Sequence, residues 1–200
     1  MPKLTLDFYQ RDDVHIISRD LLGKVLCTNI ESKLTSGIIV ETEAYAGITD
    51  KASHAYGGRR TKRTETMYAA GGSSYIYLCY GIHHLFNIVT GKKNIPHAVL
   101  IRAIEPQDGI KIILQRRNKK KVDYKLTAGP GSLAQALGLT IQNSGVSLMD
   151  NLIWVEDRNI HINNQDICTS PRVGIQYAGQ DTRNPWRYRI EKSPWVSPAS

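Results

Sequence analysis

The sequence predicts a single mixed α+β domain over residues 1–200, on three observations. Its 200 residues are 41% hydrophobic and 22% charged, the size and composition of one ordinary globular unit with a full core. Alternating apolar and polar runs of strand length recur between Lys24 and Ile104, beside shorter stretches with helical spacing. No internal repeat, low-complexity tract or linker divides the chain.

Taken in order, Asp12 or Asp13 can cap a helix carrying Val14, Ile17, Leu21 and Leu22, with Gly23 as its stop. Strands follow over residues 24–30 and 36–45. Strict alternation in the second places Ile39, Glu41, Glu43 and Tyr45 on one face, and Ile38, Val40, Thr42 and Ala44 on the other. Residues 46–73 form a long polar, glycine-rich loop of the kind that is usually functional or disordered. SSYIYLCY and HHLFNIVT read as two β runs broken at Gly81, a bend or hairpin with Tyr80 near its tip. HAVLIRAI is a further strand with Arg102 inside an apolar run. A helix over 107–118 ends in the basic residues Arg116, Arg117, Lys119, Lys120 and Lys121. GPGSLAQALG opens a short helix at Ser132, and short strands cover 152–156 and 172–177. The tail RYRIEKSPWVS is basic and aromatic.

The formal charge of +8 favours polyanionic partners such as nucleic acid or an anionic membrane surface, with the basic clusters tilting the balance to DNA or RNA, although a basic enzyme with a small anionic substrate has the same charge. Cys27, Cys79 and Cys168 are odd in number and far apart, which argues against zinc, iron–sulfur clusters and a disulfide framework. With no signal peptide and no long apolar run, the expectation is a soluble, non-secreted protein without a membrane partner.

The chemistry-bearing constellation is compact. Glu43 and Arg102 lie on strands that read as buried, and a buried charge needs a partner. Either they share one cavity around a water or substrate group, or they form a salt bridge that fixes the core; the residues alone leave both open. Tyr45, His54, Tyr75, Tyr77 and Tyr80 put aromatic and imidazole rings nearby, suited to holding an unstacked base, while each tyrosine taken singly fits ordinary sheet packing. His83 and His84 are adjacent on a strand and make a poor metal pair. Arg59, Arg60, Lys62 and Arg63 suit phosphate contacts, or a plain solvated face.

These residues, in this order, resemble the alkyladenine (3-methyladenine) DNA glycosylase family. The matching pieces are LLGKVL from Leu21, IVETEAY from Ile39, HAYGGRR from His54, Met67, YIYLCYG from Tyr75, Asn87, LIRAIEP from Leu100, RVG from Arg172 and SPWVS from Ser193. The resemblance implies an antiparallel, open-barrel-like β-structure with flanking helices and a protruding β-hairpin that enters the DNA minor groove. It implies a cofactor-free, monofunctional enzyme that excises alkylated or deaminated purines from double-stranded DNA. On motif match, Glu43 resembles the base that activates the attacking water. Arg102 and the backbone carbonyl of Val173 resemble the groups that help hold that water. Tyr45, His54 and Tyr77 resemble the rings around the flipped base, Tyr80 the wedge, and Asn87 the residue that disfavours guanine. The compact form resembles bacterial-type members, which implies a cytoplasmic monomer on DNA, or a nuclear one in a eukaryote. Ile82, His83 and His84 stand where other members carry further bulky residues.

Rival enzyme classes fit less well. A helix–hairpin–helix glycosylase needs a second helix and a later catalytic aspartate, a proline-nucleophile lyase needs a zinc finger, and a zinc deaminase needs H-x-E and C-x-x-C pieces. The alternative of another kind is a non-catalytic DNA-binding module of the same fold. It would keep the basic patches and Tyr80 but have no need of Glu43.

Overall fold

A computed structural model describes residues 1–198. Eight strands form one sheet: β1 (Val25–Ile30), β2 (Lys33–Tyr45), β3 (Ser73–Cys79), β4 (His83–Thr90), β5 (His97–Pro106), β6 (Ile153–Glu156), β7 (Ile167–Ser170) and β8 (Arg187–Ile190). The main path runs β3-β4-β5-β2-β1-β6, with β8 bridging β2 and β7. Every pairing is antiparallel. The sheet does not close on itself: β3 and β6 end the path. The fold is therefore an antiparallel α+β structure with flanking helices rather than a true barrel.

β2 organises the sheet. Its first half pairs β1, its second half pairs β8 through Glu41–Glu43, and β5 runs along the opposite edge. Two compensating irregularities interrupt the β2–β5 ladder. Ile39 faces Ile104, Glu41 faces Ala103 and Thr42 faces Ile101, so Val40 and Arg102 are each the extra residue of a bulge. The strict alternation expected along β2 fails there. Ile39 packs with Ala44 in the main core, on the face opposite Glu41 and Glu43. A bulge flips every residue beyond it, which lets one strand feed the core with Ile39 and the site with its carboxylates.

The core lies on one face, where Phe86, Ile88, Val99, Ile101 and Ile104 meet helices α1 (Leu6–Tyr9), α2 (Val14–Asp20) and α4 (Pro130–Leu137). Asp13 caps α2 by accepting from the amides of His15 and Ile16. Truncating one of the buried aliphatics to alanine would cost about 2–5 kcal/mol.

Several sequence expectations need correction. The helix expected over 107–118 is α3 (Ile110–Arg116). Its start is delayed because the Gln107 amide donates to the Ser36 carbonyl and the Ser36 amide to that of Asp108, and because Gly109 caps it at φ 73. A Cβ at Gly109 would lie 2.3 Å from the Leu34 carbonyl oxygen, so only glycine fits. Residues 172–177 form no strand; they turn at Gly174 and enter a 3₁₀ segment, Gln176–Arg183. The tail contributes β8 instead. Segment 46–73 is ordered, pinned by buried Ala52, Ala55, Met67 and Tyr68 and by 3₁₀ turns. The β3–β4 hairpin ends in a tight turn in which the Ile82 amide donates to the Cys79 carbonyl at 3.1 Å. Tyr80 and Gly81 both have positive φ, 50° and 73°, the signature of a type I′ turn.

Candidate active site

The register assembles the site. Arg187 on β8, Glu43 on β2, Leu100 on β5, Asn87 on β4 and Tyr75 on β3 are successive cross-strand partners, so their side chains share one face. Next to them on that face stand Glu41, Tyr45, Arg102 and Tyr77. The resulting cavity, about 780 Å³, is lined by Tyr45, His54, Tyr77, Asn87, Arg102 and Val173 among others, roughly the size of a small-molecule site.

Glu43 has no exposed surface and sits one layer behind the cavity wall, reached through Tyr45, Arg102 and Val173. Its Oε2 accepts from the Tyr45 hydroxyl at 2.9 Å. Its Oε1 accepts from the Val173 amide at 2.8 Å and lies 3.3 Å from Nη1 of Arg102. Val173 thus meets the carboxylate through its N–H. Two of the roughly four acceptor positions of the carboxylate are filled by hydrogen bonds, and Arg102 adds an ion-pair contact. Burial raises the Glu43 pKa above the ordinary carboxylate value; Arg102, the Val173 amide and the Tyr45 hydroxyl act against that rise, and Glu41 adds to it. A carboxyl raised by burial and held by donors is placed as a general base would be.

Glu41 and Glu43 share Arg102, whose Nε donates to Glu41 at 2.7 Å. Arg102 is therefore part of a buried ion-pair network and also a cavity-wall residue, so both readings of the pair have a place here.

His54 receives or gives a hydrogen bond through Nδ1 to the Tyr75 hydroxyl at 2.8 Å. Burial, followed by Arg63 and Arg59, lowers its pKa to about 4, which keeps the ring neutral at physiological pH. His54 and Tyr77 meet edge to face with centroids 4.6 Å apart, whereas Tyr45 packs with Ala52 and Ile175. The fold brings all three rings to one cavity. Asn87 is fixed there by its amide nitrogen, which donates to the Tyr75 carbonyl at 3.0 Å. Tyr80 is 89% exposed at the hairpin tip, flanked by exposed Leu78 and Ile82.

The four basic residues of the loop part company. Arg59 and Lys62 are exposed. Arg60 makes a bidentate pair with Glu65 at 2.6 and 2.9 Å and lies over Tyr68, which leaves it little to offer a phosphate. Arg63 is exposed as well but lines the cavity, its guanidinium 5.1 Å from the Tyr77 ring centre and 3.5 Å from Nε2 of His54.

Sequence reasoning missed a second arginine. Arg172 is buried, pairs bidentately with Asp50 at 2.5 and 2.8 Å, donates to the Ala44 carbonyl, and lies between the rings of Tyr45 and Trp186, 4.7 and 4.8 Å from their centres. It joins the His54 loop to the Val173 turn beneath Tyr45. The RVG and SPWVS matches were the available signal for it and for Ser197. Among the described residues no cluster of His, Cys, Asp and Glu could hold a metal ion, and no helix is long and apolar enough to cross a membrane.

Comparison with known proteins adds to this geometry. Residues 7–194 match the methylpurine-DNA glycosylase (MPG) family. A protein of Chlamydia felis is 50% identical over 189 residues, covering 93% of this chain and 96% of its own. One from Bacillus cereus is 46% identical over 198 residues, covering 95% and 96%. Both are named, provisionally, as 3-methyladenine DNA glycosylases.

Proposed function

The chain belongs to the methylpurine-DNA glycosylase family, and from that premise we propose that it is a monofunctional base-excision-repair enzyme. It flips a damaged purine out of duplex DNA and hydrolyses the N-glycosidic bond with water activated by Glu43. The observation that carries this reading is the buried Glu43 carboxylate, raised in pKa, hydrogen-bonded by two donors and paired with Arg102, at the back of a ring-lined cavity beneath an exposed hairpin tyrosine.

A base inside a duplex is out of reach, and extruding it costs a few kcal/mol. Tyr80 recovers part of that cost by filling the gap in the stack. Tyr45, His54 and Tyr77 receive the base, and their electron-rich faces suit a cationic alkylpurine. Such a base is already a good leaving group, so the enzyme supplies mainly an oriented, deprotonated water. Arg102 and the Val173 backbone hold that water against Glu43, which takes its proton as the oxygen bonds to the sugar carbon and the purine departs. Asn87 crowds the purine 2-position and disfavours guanine. Arg59 and Lys62 contact phosphate. We place the enzyme on DNA as a monomer in the cytoplasm, in keeping with its free cysteines.

The test is a lesion panel: duplexes carrying 3-methyladenine, hypoxanthine or 1,N6-ethenoadenine, with release of free base followed directly. The proposal expects base release, and strand breaks only after alkali. Binding without release from any lesion would favour a non-catalytic module; breaks without alkali would indicate a lyase.

A further inference from the structure

One buried charge near the site has no role in the chemistry above. The Glu41 carboxylate has no exposed surface and accepts four hydrogen bonds. Its Oε1 takes Nε of Arg102 at 2.7 Å, Nε of Arg187 at 2.6 Å and Oγ of Ser197 at 2.9 Å, and its Oε2 takes the Ser197 amide at 2.6 Å. Ser197 is itself tied to both arginines: Nη2 of Arg187 donates to its carbonyl at 2.8 Å, and Nη2 of Arg102 to its hydroxyl at 3.1 Å. Strands β2, β5 and β8 and the C-terminal segment meet at this one carboxylate.

The geometry has a directional consequence. A guanidinium is planar and rigid. With Nε of Arg102 held by Glu41 and Nη2 by Ser197, the plane is fixed, and Nη1 is aimed at Glu43, 3.3 Å away. Replacing such a network by apolar residues is often neutral for stability, so stability alone gives little reason to bury it beside the cavity.

We infer that Glu41 is a positioning residue: with Ser197 it clamps Arg102 so that Nη1 faces Glu43, which makes the C-terminal segment a working part of the site. The inference rests on the reading of Glu43 as the base. The charged and titratable groups around Glu43 are Arg102, Tyr45 and Glu41, then Arg172, Tyr77 and Tyr177 at longer range. Of these, Glu41 is the acid whose charge works to keep Glu43 protonated.

The experiment is single-turnover excision of 1,N6-ethenoadenine from duplex DNA across pH, with DNA affinity measured alongside, for the native chain, Glu43→Gln, Glu41→Gln and Ser197→Ala. Misaiming Arg102 should lower the Glu41→Gln rate by roughly 10²-fold, with affinity kept. Its acid limb should move to higher pH, because Arg102, which favours ionised Glu43 more strongly than Glu41 opposes it, no longer faces the carboxylate. Ser197→Ala, which loosens Arg102 while leaving Glu41 in place, should lose less rate and move the limb less, in the same direction. A native rate in Glu41→Gln, or a limb that stays in place or moves to lower pH, would overturn the clamp, since Arg102 would then still face Glu43. Should Glu41→Gln not fold, undiminished excision by Ser197→Ala would overturn it equally. If the native chain does not excise, or Glu43→Gln excises as well as it does, the glycosylase reading itself falls and takes the clamp with it.

Discussion

The Tyr45 hydroxyl donates to Oε2 of Glu43 at 2.9 Å, from two residues further along the same strand. One tyrosine thereby serves two purposes, since its ring lines the cavity while its hydroxyl holds the carboxylate. Because that bond stabilises the ionised form, its loss raises the Glu43 pKa further. Tyr45→Phe should therefore shift the acid limb of the pH–rate profile to higher pH. An unmoved limb would mean that the bond does not bear on the base.

Tyr80 is a test of base capture isolated from the fold. At 89% exposed, it contributes little to packing. Tyr80→Ala should leave the melting temperature nearly unchanged and lose the stacking that offsets unstacked DNA, about 1–3 kcal/mol, or roughly 5- to 160-fold in capture of the flipped base. A fluorescent ethenoadenine reporter measures this directly; undiminished capture would remove the wedge role.

Arg63 is exposed, yet its guanidinium lines the cavity beside Tyr77. Its charge is among the causes that lower the His54 pKa to about 4. Arg63→Ala should raise that pKa toward the ordinary histidine value, which an NMR titration of His54 would report. The same variant should leave the salt dependence of DNA binding nearly unchanged, whereas Arg59→Ala or Lys62→Ala should reduce its slope by about 0.9 each. A reduced slope for Arg63→Ala would return it to the phosphate contacts.

The Asp50–Arg172 pair predicts a stability effect. Asp50→Ala leaves a buried guanidinium unpaired beneath Tyr45, and breaking such a pair costs about 3–5 kcal/mol. Urea unfolding should show the corresponding fall in midpoint. A loss under about 1 kcal/mol, the range of exposed pairs, would show that Arg172 finds other partners.

Much of the fold could be read from local pattern, because β-alternation and helix caps are short-range signals. The β3–β4 hairpin, with Tyr80 at its tip, is marked by alternating runs and Gly81. What escaped reading depends on tertiary context. The bulges at Val40 and Arg102 carry no local signature, so Ile39 was expected on the face of Glu41. Residues 172–177 look like a strand, yet Asp50, distant in sequence, pins Arg172 and the chain turns at Gly174. β8 was hidden inside a basic tail whose arginine proved to be buried against Glu41. The site residues divide the same way. Glu43, Tyr45 and Arg102 stand out as polar groups in apolar strands, but the role of Glu41 depends on Ser197, 156 residues away.

The central claim is that Glu43 is the group that activates water for hydrolysis. Its most direct measurement is single-turnover cleavage of a duplex carrying one hypoxanthine, native chain against Glu43→Gln, with binding followed in parallel. The account predicts alkali-labile breaks with the native chain, none with Glu43→Gln, and comparable affinity for both. Equal cutting by the two proteins, or tight binding by both with no cutting by either, would contradict it.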